Sequence, residues 1–314
     1  MTKGKGLWTK NKGLTHHLLA ALILCTPWIQ CSPGGTETRR AQIDAKIDTT
    51  GVLKVGIRQN ALPLGQRQDG QWMGYCADIA HALAEELSRD RTNPIQVLFI
   101  TSTTQRRYSL VANGTVDIEC GPNTINPETE TTYGVSFSVP FFVTATQILT
   151  RPEVPASASA PIPLLSPEPV EGPKGPSLPV PLGVIKDTTN EADLSQIYPR
   201  SQIDNTFPDY EQGINAVLGS QISGFASDGI LLVGTARRLN LLPDRDYILT
   251  TPKTTSGSPF CASYAMILPG GAENSRWRNT VNSFLANNRE AKTIWRRWFS
   301  RLDPSIQVLS AACQ

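Results

Sequence analysis

The chain has 314 residues, a formal net charge of +2 and charged side chains at 18% of positions. That length accommodates two domains. The near-balanced charge excludes both the basic footprint of a nucleic-acid binder and the strong acidic bias that would demand a cationic partner.

The first thirty residues read as a leader. Lys3, Lys5, Lys10 and Lys12 precede an apolar run from Leu18 to Ile29, a positive segment followed by a short hydrophobic one, which is the pattern of a secretory signal. The run falls short of the roughly 20 apolar residues that a membrane span requires. Export across the cytoplasmic membrane is therefore expected, with residues 1–31 as signal peptide and 32–50 as a tether. Cys31 is a lipidation candidate that would leave the protein anchored, although Gln30 before it is not the small residue such sites prefer. A free periplasmic protein is the alternative.

Beyond Cys25 and Cys31 the chain holds Cys76, Cys120, Cys261 and Cys313. Four cysteines in an exported chain admit three pairings. Cys76 with Cys120 is favoured, since both lie in the amino-terminal half, at a helix start and a neighbouring strand end. That leaves Cys261 with Cys313 to tie down the tail. The alternative is reduced cysteines acting as small buried hydrophobes. No Cys/His spacing suggests a metal.

In chain order, residues 52–57 read as a strand, 60–71 as a loop, and 75–87 as an amphipathic helix with Ala80, Leu83, Ala84 and Leu87 on one face. A strand at 95–100, a short helix at 105–112 and a strand at 116–120 follow, the helix stopped by Gly114 and the last strand broken by Gly121-Pro122. Ten prolines crowd residues 151–181, and the missing donors and fixed φ of proline exclude helix or ladder there. A disordered, proline-rich insertion is expected over 152–181. Residues 182–185 resume as a strand. Thr188 and Glu191 have the spacing of a capping box, and a helix start attracts anions. A helix at 212–218, a strand from Gly224 to Asp228 and a helix at 230–239 complete a second unit; 264–268 is a strand, and 277–285 and 289–299 are helices. Alternating strands and helices point to α/β units built on parallel sheets.

The blocks Thr101-Ser102 through Arg106-Arg107, Asn113-Gly114, Asp117-Ile118-Glu119-Cys120-Gly121 and Ser138-Val139-Pro140-Phe141-Phe142 resemble, in order, the extracytoplasmic solute-binding proteins of amino-acid ABC transporters (family 3), the glutamate/aspartate type above all. The similarity runs from about 52 to 303, interrupted by the proline-rich stretch. It implies a type II periplasmic-binding-protein-like fold of two α/β lobes joined by a two-segment hinge. Lobe 1 would comprise 51–145 plus 262–314 and lobe 2 would comprise 146–261, with crossings near 141–150 and 262–268.

The resemblance also supplies site residues. Arg58, Thr104, Arg107 and Thr124 match ligand-contacting positions on the first lobe, and the fork of an arginine suits a carboxylate. Thr188 and Thr189 match a pair at a helix start, and Asp228 matches the aspartate that takes an α-ammonium group. Each has a plainer reading: Asp228 and Thr188 as helix caps, Arg107 as a surface residue exchangeable with Arg106. In one departure, residues 125–131 lack the arginine that relatives place shortly after the Thr124 position. Tyr210 stands where the glutamate/aspartate type has a histidine.

The function implied is capture of a polar L-amino acid, acidic ones included, by lobe closure, and delivery to a membrane permease with its ATPase subunit. A monomer without cofactor is expected. The alternatives are an enzyme resembling the cyclohexadienyl dehydratases of this fold, or a ligand-sensing subunit. His81 is the one histidine after the leader, on a helix face, and no nucleophile elbow or phosphate loop is present. Glu119 is either directed at the cleft or satisfied inside the protein.

Overall fold

The structure is a computed structural model that describes residues 43–152, 181–302 and 304–313. The expected leader, Cys31 and nearly all of the proline-rich insertion lie outside the described residues.

The described residues open with helix α1 (Ile43–Thr50), inside the stretch expected to be a tether. Over residues 43–50 the chain is helical and docked, because Ile43 and Ile47, one turn apart, are both buried in the core. Strand β1 (Val52–Ile57) follows, and the expected loop at 60–71 is a small meander of β2 (Asn60–Ala61), β3 (Gly65–Gln68) and β4 (Gln71–Met73). Helix α2 (Tyr75–Ser88) buries Ile79, Ala80 and Leu83, and leads to β5 (Gln96–Thr101), α3 (Arg107–Ala112) and β6 (Ile118–Cys120). Gly114 has φ of 74°, the left-handed turn that ends α3. Helix α4 (Pro127–Tyr133), β7 (Val135–Phe137) and the long β8 (Phe142–Thr150) come next.

After the insertion the chain forms β9 (Leu182–Ile185), α5 (Thr189–Ile197), β10 (Ile203–Phe207), α6 (Tyr210–Leu218), β11 (Gly224–Asp228), α7 (Gly229–Arg238) and β12 (Ile248–Thr250). It returns through β13 (Cys261–Tyr264) and β14 (Ile267–Pro269), and finishes with α8 (Ser275–Asn287), α9 (Arg289–Phe299) and α10 (Pro304–Ala312).

Two mixed sheets organise two lobes. The first has the order β5-β1-β6-β14-β7, with β5, β1 and β6 parallel and β14 antiparallel to both of its neighbours, β6 and β7. The second has the order β10-β9-β11-β8-β12, with β10, β9 and β11 parallel. The expectation of parallel sheets thus holds only for the strands that helices connect. A strand that returns without a crossover helix must pair antiparallel, as β8 does. Residues Phe142 to Ala145 of β8 pair with β13, and Thr146 to Thr150 pair with β11 and β12. One strand therefore serves two neighbourhoods.

Disulfides join Cys76 to Cys120 and Cys261 to Cys313. The first staples the start of α2 to the end of β6. The second ties α10 to β13, with Ile306 buried beneath the helix. On the opposite flank, Trp277 of α8 is 1% exposed and its indole N–H donates to the Asp117 carbonyl at 3.2 Å. Its neighbour in the chain, Ile118, begins the strand that leads into the site.

Candidate functional site

The carboxyl ends of β1, β5 and β6 face those of β9 and β11 across a cavity of about 330 Å³. Strand ends of this kind are where open α/β sheets hold ligands. Arg58, Thr104, Arg107 and Thr124 line one side; Thr188, Thr189 and Asp228 line the other.

Arg58 immediately follows β1 and is only 5% exposed. Its Nη1 donates to Thr104 Oγ1 at 2.8 Å, and its Nε lies 3.6 Å from Glu119 Oε1 without a completed hydrogen bond. Burial draws the guanidinium pKa down, and the Glu119 charge partly restores it. Glu119 is itself fully buried and accepts from Ser102 Oγ and Asn123 Nδ2. The satisfied reading of Glu119 is the observed one: it holds Arg58 from behind.

Arg107 opens α3. Its Nη1 donates to the Thr104 carbonyl, its Nη2 to the Tyr108 hydroxyl at 3.3 Å, and its guanidinium lies 4.4 Å from the Tyr108 ring centre. Among the described residues it has no carboxylate partner, and its Nε is unpaired. Arg106 is exposed and outside the cavity, so of the two it is Arg107 that lines it. Thr124 pairs by an isolated bridge with Tyr264, so a strand from 140 positions downstream lies beside it.

The opposite wall starts at α5. Thr188 caps it: its Oγ1 accepts from Glu191 N–H at 3.3 Å and donates to the Ile185 carbonyl at 2.7 Å. Glu191 reaches back to accept from Asp187 N–H at 2.8 Å. The expected cap is therefore present one position off the reciprocal pattern, and Thr189 and Asn190 stand in the first turn. Asn190 Nδ2 donates to Thr146 Oγ1 at 2.9 Å, and Thr146 Oγ1 donates to Asp193 Oδ2 at 2.5 Å.

Asp228 ends β11 and immediately precedes α7, but its side chain makes no capping hydrogen bond. It is 4% exposed, and its Oδ1 has no hydrogen-bond partner. Burial pushes its pKa up to about 6; Tyr264 and Asn190 oppose the shift, and the nearby Asp193 charge adds to it. A buried carboxylate without a cation is expensive unless something arrives to neutralise it. The neighbouring Tyr264 hydroxyl is likewise without a completed hydrogen bond. Tyr210, at the start of α6, lines the same cavity.

Sequence reasoning missed Tyr108, Asn126, Thr129, Tyr133 and Asn190, all on the cavity wall. Three of them depend on α4, whose signal was legible: Asn126 caps it by accepting from Glu128 N–H at 2.9 Å, with Pro127 at the first helical position. Tyr133 then stacks on Tyr108 with centroids 5.0 Å apart. His81 lies outside this cavity, edge-on to Phe99.

A family model for bacterial extracellular solute-binding proteins, family 3, matches residues 53–301. The glutamate/aspartate import solute-binding protein of Escherichia coli (strain K12) is 36% identical over 108 residues, covering 34% of this chain and 35% of that relative. The L-glutamate/L-aspartate-binding protein of Pseudomonas aeruginosa is 35% identical over 109 residues, again 34% and 35% of the two chains. Each curated match thus spans about a third of the relative's length. Among solved structures, an ABC uptake transporter substrate-binding protein from Streptococcus pneumoniae with bound histidine superposes with a TM-score of 0.63 at 16% identity, covering 83% of this chain and 97% of that one. The solute receptor for L-cysteine of Neisseria gonorrhoeae gives 0.62 at 18% identity, covering 84% and 98%. At such identities the likeness is one of fold, the type II arrangement of two α/β lobes. The family model extends through the strands that carry both cavity walls, and the chain belongs to the bacterial extracellular solute-binding proteins, family 3.

Proposed function

We propose that this protein captures a polar L-amino acid outside the cytoplasmic membrane and hands it to a membrane permease driven by a partner ATPase. One observation carries the reading: Asp228, a buried carboxylate with no cation beside it among the described residues and with Oδ1 lacking a hydrogen-bond partner, shares a cavity with Arg58 and Arg107. A free amino acid carries an ammonium and a carboxylate a fixed distance apart, and burying it requires an anion and a cation on facing walls. In this reading the ammonium meets Asp228 and the carboxylate meets the arginines, with the free N–H groups at the start of α5 as further donors.

The names of the curated relatives, import proteins for acidic amino acids, and the histidine-bound and cysteine-receptor structures support the substrate class. The first half of β8 and its partner β13 are suited to act as the two hinge segments, so that closure around the ligand creates the form that docks on the permease. The ligand leaves unaltered.

A thermal-shift panel of amino acids and cyclohexadienyl acids on the mature protein tests this. A ligand at 100 times its dissociation constant adds about 2.7 kcal/mol of stability, a shift of several degrees. A shift with an amino acid and no consumption of any compound is the expected result. Turnover of a cyclohexadienyl acid, or no shift with any amino acid, would refute the proposal.

A further inference from the structure

Among the described residues the cavity wall carries four charged side chains: Arg58, Arg107, Asp187 and Asp228. Arg58 is already countered by the fully buried Glu119 at 3.6 Å. Asp187 is exposed at the rim. One uncommitted cation, Arg107, and one uncommitted buried anion, Asp228, therefore remain to meet a ligand. A zwitterionic backbone engages both. A second carboxylate on the ligand would find no free cation and would add to the two acidic groups, Asp187 on the wall and Glu119 behind it.

The rest of the wall is uncharged and rich in hydrogen-bonding groups. Thr104, Thr124, Asn126, Thr129 and Thr189 supply hydroxyls and an amide. The Asn126 side-chain Oδ1 is taken up by its helix cap, which leaves its amide N–H₂ for other partners. Thr129 Oγ1 donates back to the main-chain carbonyl of Asn126 at 2.7 Å, which leaves its lone pairs as acceptors. Groups that both donate and accept match an amide or hydroxyl side chain, and a buried site built on them rejects a ligand that leaves them unpaired.

From this charge count and wall chemistry we infer that the preferred ligand is a net-neutral amino acid with an amide or hydroxyl side chain, and that acidic amino acids are discriminated against. The inference rests on the amino-acid-binding reading above.

Calorimetric titration of the wild-type protein at pH 7.5 with glutamine, asparagine, serine, threonine, glutamate, aspartate, lysine and arginine decides it. At least one of the four neutral amino acids should bind ten times or more tighter than any charged one. Tightest binding by glutamate, aspartate, lysine or arginine would overturn the inference and leave amino-acid capture standing. Binding by none of the eight would overturn both. Thr129→Arg places a cation on the wall and should shift the ratio of acidic to neutral affinity at least tenfold towards the acidic ligand; an unchanged ratio in a variant that melts normally would overturn the charge argument.

Discussion

Asp228 is the residue on which the energetics turn. Its pKa in the folded protein is about 6, against 3.8 for an unperturbed aspartate. The native state therefore holds a proton more tightly than the unfolded chain, and this group's contribution to stability is greatest below pH 3.8 and is lost as pH rises through 6. The whole swing amounts to roughly 3 kcal/mol. Asp228→Asn should accordingly melt higher than the wild type at pH 7.5 without ligand, and the advantage should disappear near pH 4; scanning calorimetry at the two pH values checks both. Ligand binding has the opposite demand, because an ammonium needs the ionised carboxylate. Affinity should weaken about tenfold between pH 7.5 and pH 5, and Asp228→Asn should abolish that dependence while binding at least 30-fold more weakly, about 2 kcal/mol. A flat pH profile in the wild type would contradict this. Arg58, Arg107 and Asp228 were reachable from sequence through the family resemblance, and all three line one cavity. Thr129 and Tyr133 were not, because their facing depends on how α4 turns back over the cavity. Tyr264 comes beside Thr124 only through strand pairing with a distant segment.

Among the elements, β11 and α6 position the second wall. Phe225 in β11 is fully buried and packs edge-on against Phe207 at 5.6 Å. Gly213 in α6 lies directly over its ring, where an added Cβ would come within 2.2 Å of Phe225. The ring has no free space to yield into, so Gly213→Ala should destabilise by about 1–3 kcal/mol, read as a lower urea midpoint with unchanged slope. An unchanged midpoint would mean that α6 and β11 pack more loosely than described. Long periodic elements such as α2 and α9 were readable from sequence. The meander β2–β4 was not, since strands of two to four residues with mostly polar side chains carry no usable alternation. Helix α1 escaped for a related reason: two buried isoleucines are too few to show a helical period.

At the scale of the molecule, two α/β lobes were expected from alternating strands and helices, and both sheets are present. Strand direction was not readable in full, because β8 pairs with β11, β12 and β13 and only the folded arrangement shows which partners it serves. That shared strand is what lets residues from Arg58 to Asp228 converge, and convergence is the central claim: one dipolar solute spans the gap between Asp228 and the arginines. The most direct measurement is calorimetric titration of the tightest-binding amino acid against its deamino analogue, in which hydrogen replaces the α-ammonium. The account predicts that the analogue binds at least 30-fold more weakly, a difference of about 2 kcal/mol. Equal affinity for the two would show that Asp228 does not receive the ammonium and would contradict it.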